Sequence, residues 1–95
     1  MFSQVYYIIR SRVDGKYLAA IPDPDGSDRY LLLFKEDFDA LSYLNKYASD
    51  LKDRLQVESI PSSQLSPILQ RWGYSGIGLV GDPLLPRIEF MKRDA

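Results

Sequence analysis

The sequence predicts a single α+β domain whose sheet begins with an N-terminal β-hairpin. Three observations predict it. Strand-like runs flank an Asp14-Gly15 pair, an all-apolar run follows at Tyr30 to Phe34, and apolar residues at helical spacing begin at Phe38. The length of 95 residues suits one domain. A composition of 45% hydrophobic and 13% aromatic residues suits a packed core and is too rich for a disordered chain.

The elements follow in order. Val5 to Ile21 reads as the hairpin, with Asp14-Gly15 as a type I′ turn that takes positive φ at both central positions. With Val13 opposite Lys16, alternation places Val5, Tyr7, Ile9, Val13, Leu18 and Ala20 on one face. Tyr6, Ile8, Arg10, Arg12, Tyr17, Ala19 and Ile21 share the other, Arg12 lying opposite Tyr17. The segment PDPDGSDR (22–29) is a loop, since Asp, Pro and Gly turn the chain. Tyr30 to Phe34 carries no polar face, which predicts a central strand covered on both sides.

Phe38, Leu41, Leu44, Ala48 and Leu51 then recur at intervals of three and four, the apolar stripe of a helix, and acidic Glu36 and Asp37 suit its positive end. Leu55 to Ile60 is a strand. A short helix starts near Ser66-Pro67, offers Ile68, Leu69 and Trp72 to the core, and stops at Gly73. Ile77 to Val80 is a strand, Gly81-Asp82-Pro83 a turn, and Arg87 to Met91 a final strand. The expected architecture is two helices with one mixed or mainly antiparallel sheet of about five strands. No repeat, low-complexity tract or linker divides residues 1–95, so a single domain is expected.

Composition also bounds the chemistry. The chain has no Cys and no His, which removes disulfides, zinc sites, and Ser-His-Asp or Cys-His devices. A net charge of −1, from 12 basic and 13 acidic residues, argues against nucleic acid as the partner, because phosphate binding draws on an excess of cations. No apolar stretch approaches the ~20 residues of a membrane-spanning helix. Met1 to Arg10 lacks the features of a signal peptide, so a soluble, cytoplasmic protein is expected.

From Tyr30 onward a strand ending in Phe (LLLF, 31–34) leads into a helix, a strand, Pro-Ser and a short helix, then a strand closing in Gly-Asp-Pro (GIGLVGDP, 76–83). This resembles the SseB-like domain, the N-terminal domain of the type III secretion enhancer family, which has a strand–helix–strand–helix–strand core after an N-terminal hairpin. Two positions depart from the family pattern. Lys35 stands where a Thr or Ser cap is usual, and Asp82 where Asn is usual. The resemblance carries no catalytic motif and implies a protein-interaction or regulatory role.

Four groups of residues invite a functional reading. Asp23, Asp25 and Asp28 surround Gly26 like cation ligands, but the twelfth place counted from Asp23 is Phe34, not the Glu of a calcium loop, and a turn explains them. Gly76, Gly78 and Gly81 match a phosphate-loop spacing, yet they follow a helix and enter a strand, the reverse of the order a phosphate cradle needs. Asp50, Asp53 and Glu58 have the chemistry of an acid/base pair but sit in a chain with little room for a cleft.

The second hairpin face is the best signal. Tyr6, Ile8, Arg10, Arg12, Tyr17 and Ile21 mix tyrosine, arginine and aliphatic residues, the composition of protein interfaces. The competing explanation is cover by the second helix or the C-terminal segment, with the arginines reaching its margin. The sequence thus predicts a non-enzymatic interaction or regulatory module with no cofactor or metal, a homodimer formed through the hairpin face or hairpin edge. The alternative is a small-molecule sensor that uses the 22–29 loop and nearby tyrosines.

Overall fold

Tyr30–Phe34 organises the molecule, and all of its residues are buried. In the computed structural model, which describes residues 4–51, 53–82 and 87–92, this strand is β3 of a six-stranded sheet. The other strands are β1 (Val5–Ser11), β2 (Ala19–Ala20), β4 (Leu55–Pro61), β5 (Gly76–Asp82) and β6 (Arg87–Lys92). The helices are α1 (Asp37–Tyr47) and α2 (Leu65–Trp72). The sheet order is β4-β1-β3-β5-β6, with β2 pairing β3. Only β3 and β5 pair in parallel; the other pairings are antiparallel, so the sheet is mixed and the fold is α+β.

The chain crosses the sheet twice, from β3 through α1 to β4 and back from β4 through α2 to β5. Crossovers of this kind are nearly always right-handed, so two running in opposite directions send their helices to opposite faces. The core divides accordingly. On one face Ala40 and Leu44 of α1 pack with Ile9, Leu32, Phe34 and Val80. On the other, Leu69 of α2 packs with Ile8, Leu31, Leu33, Ile60 and Tyr74. Among the described residues no helix is long and apolar enough to cross a membrane, and no buried side-chain polar atom lacks a partner.

The hairpin keeps its predicted faces but changes register. The chain reverses over Arg12 to Gly15 rather than over two residues, so Tyr17 lies opposite Arg10 and not Arg12. Within this turn only Gly15 has positive φ, at 73°. The local polar groups explain the longer turn. Ser11 Oγ accepts from the Val13 and Asp14 amides, and Asp14 Oδ1 accepts from the Lys16 amide at 3.0 Å. A slip of two residues leaves each side chain on its own face.

The returning arm does not complete a simple hairpin. It descends along β1 to Leu18, whose amide donates to the Ile9 carbonyl, then climbs along β3 through Ala19 and Ala20. The Leu18 carbonyl accepts from the Leu32 amide. The arm is thus a V-shaped wedge with Leu18 at its vertex, set above the point where Tyr7 pairs with Phe34. This makes β1 an interior strand between β4 and β3, and the hairpin edge expected for association is not free.

The first helix is rotated from the predicted stripe. Ala40 is fully buried, and its small side chain lets the helix approach the sheet. Phe38 and Leu41, read as core from their spacing, are 60% and 47% exposed. Ala48 caps α1, and Leu51 sits in the short 3-10 turn that follows, itself exposed. The second helix starts one residue before Ser66 after a 3-10 turn at Ser62–Gln64, which puts Pro67 in its first turn, and ends at Gly73 in the left-handed region (φ 70°). The expected turn at Gly81-Asp82-Pro83 is β-strand through Asp82, and Pro83 lies outside the described residues.

Candidate interaction surface

Of the six residues predicted to form an interface, Tyr6, Ile8 and Tyr17 pack into the core on the α2 side. Ile8 is 2% exposed in the α2 core, where Tyr6, Tyr17 and Ala19 also pack. Tyr17 meets Trp72 edge-on with ring centroids 5.6 Å apart, and Arg10 lies over the Tyr17 ring at 5.0 Å. The Arg10 guanidinium also donates to the Gly15 carbonyl and stands 3.6 Å from Glu58, which accepts from the Gln56 amide group. Arg10 is therefore occupied within its own chain. Arg12 and Ile21 remain exposed at the margin of this face.

The acidic loop is tied down by short-range bonds. Asp23 Oδ1 accepts from the Asp25 amide, the bond of an aspartate-led turn. Asp28 accepts from Ser75 Oγ at 2.9 Å and pairs with Lys92 at 3.4 Å. The Ser75 bond, and then the Lys92 charge, hold the Asp28 carboxyl below its ordinary pKa. Beside it Arg29 donates to the Trp72 carbonyl and lies over Tyr74, whose hydroxyl donates to the Tyr17 carbonyl. Burial raises the Tyr74 pKa. These contacts fasten the loop to the start of β5 and the end of β6. No cluster of carboxylates among the described residues is placed to hold a metal ion.

The glycines of β5 answer to packing. A Cβ on Gly76 would overlap the Met91 carbonyl oxygen, and one on Gly78 would press on Leu32 and Ile88. Phe90 lies across this flat stretch and meets Tyr30 edge-on at 5.0 Å. A shallow depression of about 240 Å³ near the ends of β3 and β5 includes Lys35 and Arg87, both exposed.

The larger opening lies elsewhere. A groove of about 470 Å³ runs between α1 and β4, lined by the apolar Leu41, Leu44, Leu55 and Val57 and by the polar Arg12, Asn45, Asp53 and Gln56. Its outer wall is β4, whose outer side pairs with no other strand among the described residues. The Arg12 amide bonds the Arg54 carbonyl and the Ser62 amide bonds the Gln4 carbonyl. Bonded pairs alternate along an antiparallel ladder, so Gln56, Glu58 and Ile60 are the residues of β4 that bond β1. Leu55, Val57 and Ser59 therefore turn their amides and carbonyls outward. On the same flank Phe38 stands one helical turn before Leu41.

Two residues of this surface stand out in the sequence for other reasons, Arg12 on the hairpin face and Asp53 among the carboxylates, while the spacing of Leu41 and Phe38 points to the core. An unpaired strand edge leaves no local signature, because strand order depends on pairings between distant segments. Comparison with protein-family models, with curated proteins and with solved structures finds no match.

Proposed function

We propose that this chain is a non-enzymatic protein-interaction or regulatory module that takes an extended segment onto the outer edge of β4. The observation that carries the reading is the pairing of an open strand edge with a groove of mixed apolar and polar lining beside it. Main-chain bonds to an edge supply affinity, and pockets for alternate side chains supply selectivity. Here Leu55, Val57 and Ser59 offer the main-chain groups, and the groove under Leu41 offers the pocket. A chain without His or Cys lacks the commonest catalytic groups, and the resemblance to SseB-like domains implies an interaction role as well.

The test is selection of extended peptides on the folded domain, followed by amide exchange mapping. Bound peptides should slow exchange at Leu55, Val57 and Ser59 and leave Gln56, Glu58 and Ile60 unchanged, since β1 already protects these. Peptides that bind and protect another surface, with β4 unchanged, would refute the assignment.

A further inference from the structure

We infer that the segment received by β4 is β4 of a second copy, paired antiparallel about a two-fold axis through Val57. This rests on the strand-accepting reading above and names the partner. A two-fold normal to the sheet joins two β4 edges antiparallel and keeps both α1 helices on one side, so the joined surface is self-complementary.

The register follows from the groups on β4. With the axis at Val57, Val57 faces its own copy, Leu55 faces the second copy's Ser59, and Ser59 faces the second copy's Leu55. Each protomer contributes every outward amide and carbonyl of these residues, about six hydrogen bonds in all. That lies within the roughly 5–15 of an ordinary interface. On the α2 side Gln56 faces the second copy's Glu58, an amide against a carboxylate.

The neighbouring registers are poorer. An axis at Glu58 sets two carboxylates directly opposite each other, which is unfavourable across a strand pair. It also sets Leu55 against Pro61, which has no amide hydrogen. An axis at Gln56 leaves Ser59 against Asp53, which lies in a turn rather than a strand. Only the Val57 axis uses all the outward groups without opposing like charges.

Side chains support the same geometry. The exposed flank of α1, Phe38 and Leu41, would face its copy over a floor of Leu55 and Val57 from both chains. Among these residues no lysine or bulge guards the edge against a second strand, the devices that usually keep edges apart. The groove margin holds one cation and one anion, Arg12 and Asp53, so copies related by a two-fold need not place like charges together.

Sedimentation and cysteine trapping test this together, and the absence of native Cys makes the second clean. The wild type should sediment with the mass of two chains. Ser59→Pro removes an outward amide and leaves the bonds to β1 intact, so it should weaken association at least ten-fold while the melting temperature stays near that of the wild type. Opposed residues at unbonded positions lie about 4.5 Å apart at Cα, within disulfide reach. An oxidised mixture of Gln56→Cys and Glu58→Cys variants should therefore give the mixed disulfide, each variant alone giving little. Efficient cross-linking of Gln56→Cys alone, or of Glu58→Cys alone, would overturn the register. A monomer at every concentration would overturn self-pairing, and peptide protection of Leu55, Val57 and Ser59 would then show that the strand-accepting reading survives it.

Discussion

The two edges of the sheet are built differently. Strand β6 carries Arg87, Glu89 and Lys92 along its length, and its pairing with β5 shifts register between Val80 and Asp82. Charge and irregularity are the ordinary defences of an exposed edge. The β4 edge has neither: Glu58 is its only charged residue, its register with β1 is continuous, and Pro61 comes only at its end. A protein that guards one edge and leaves the other open, with a groove alongside, has the geometry of one-sided pairing.

Substitutions can break or sharpen that contrast. The largest effect should come from Glu58→Pro, which removes an amide bonded to β1; it should destabilise the fold by about 3 kcal/mol in denaturant titration. Ser59→Pro, one residue away, should cost under about 1 kcal/mol, because prolines are tolerated where an edge amide faces outward. If the two cost the same, the assignment of inward and outward groups on β4 is wrong.

A second contrast divides α1. Leu44→Ala should cost about 2–3 kcal/mol, the lower part of the range for a buried leucine, because the adjoining groove lets the site relax. Leu41→Ala should leave the stability of the single chain within about 0.5 kcal/mol, as for an exposed position, while weakening association. On the guarded side, Gly76→Ala should cost about 1–2 kcal/mol by forcing β6 away from β5, read as faster amide exchange confined to β6.

The smallest effect is acid loosening of the loop tether. Asp28 has its pKa lowered in the fold, so its contribution is complete above the unfolded value of about 3.9 and disappears as pH falls through the folded one. Its side chain is about half exposed, so the change should be local: Ser75 and Lys92 resonances move below about pH 4, and Ser75→Ala shifts that movement to higher pH.

The parts of the fold legible in the sequence are those written in single residues and local periods. YLLLF has no polar face, and it is the buried central strand. The hairpin alternates cleanly, so its two faces were correct even though the turn was not, since Ser11 and Asp14 stabilise a longer reversal. Helix α1 was misread on its flank, where spacing alone cannot separate a residue facing the sheet from one facing an edge. Ala40, the least conspicuous member of that helix, sets its contact with the sheet. The β4 edge itself is not legible in the sequence, because it becomes an edge only through β1 lying inside the sheet, where the hairpin ceases to be one.

The wedge at Leu18 has a further consequence, for how the sheet comes apart. One residue, Leu18, joins β1 through its amide and β3 through its carbonyl. Pulling the hairpin tip outward therefore strains both strands at once, and the end of the sheet between Ile9 and Leu32 cannot open one bond at a time. Leu18 acts as a rivet: exchange at its own amide and at that of Leu32 belongs to a single opening event, and opening of the turn at Arg12 to Gly15 stops short of it.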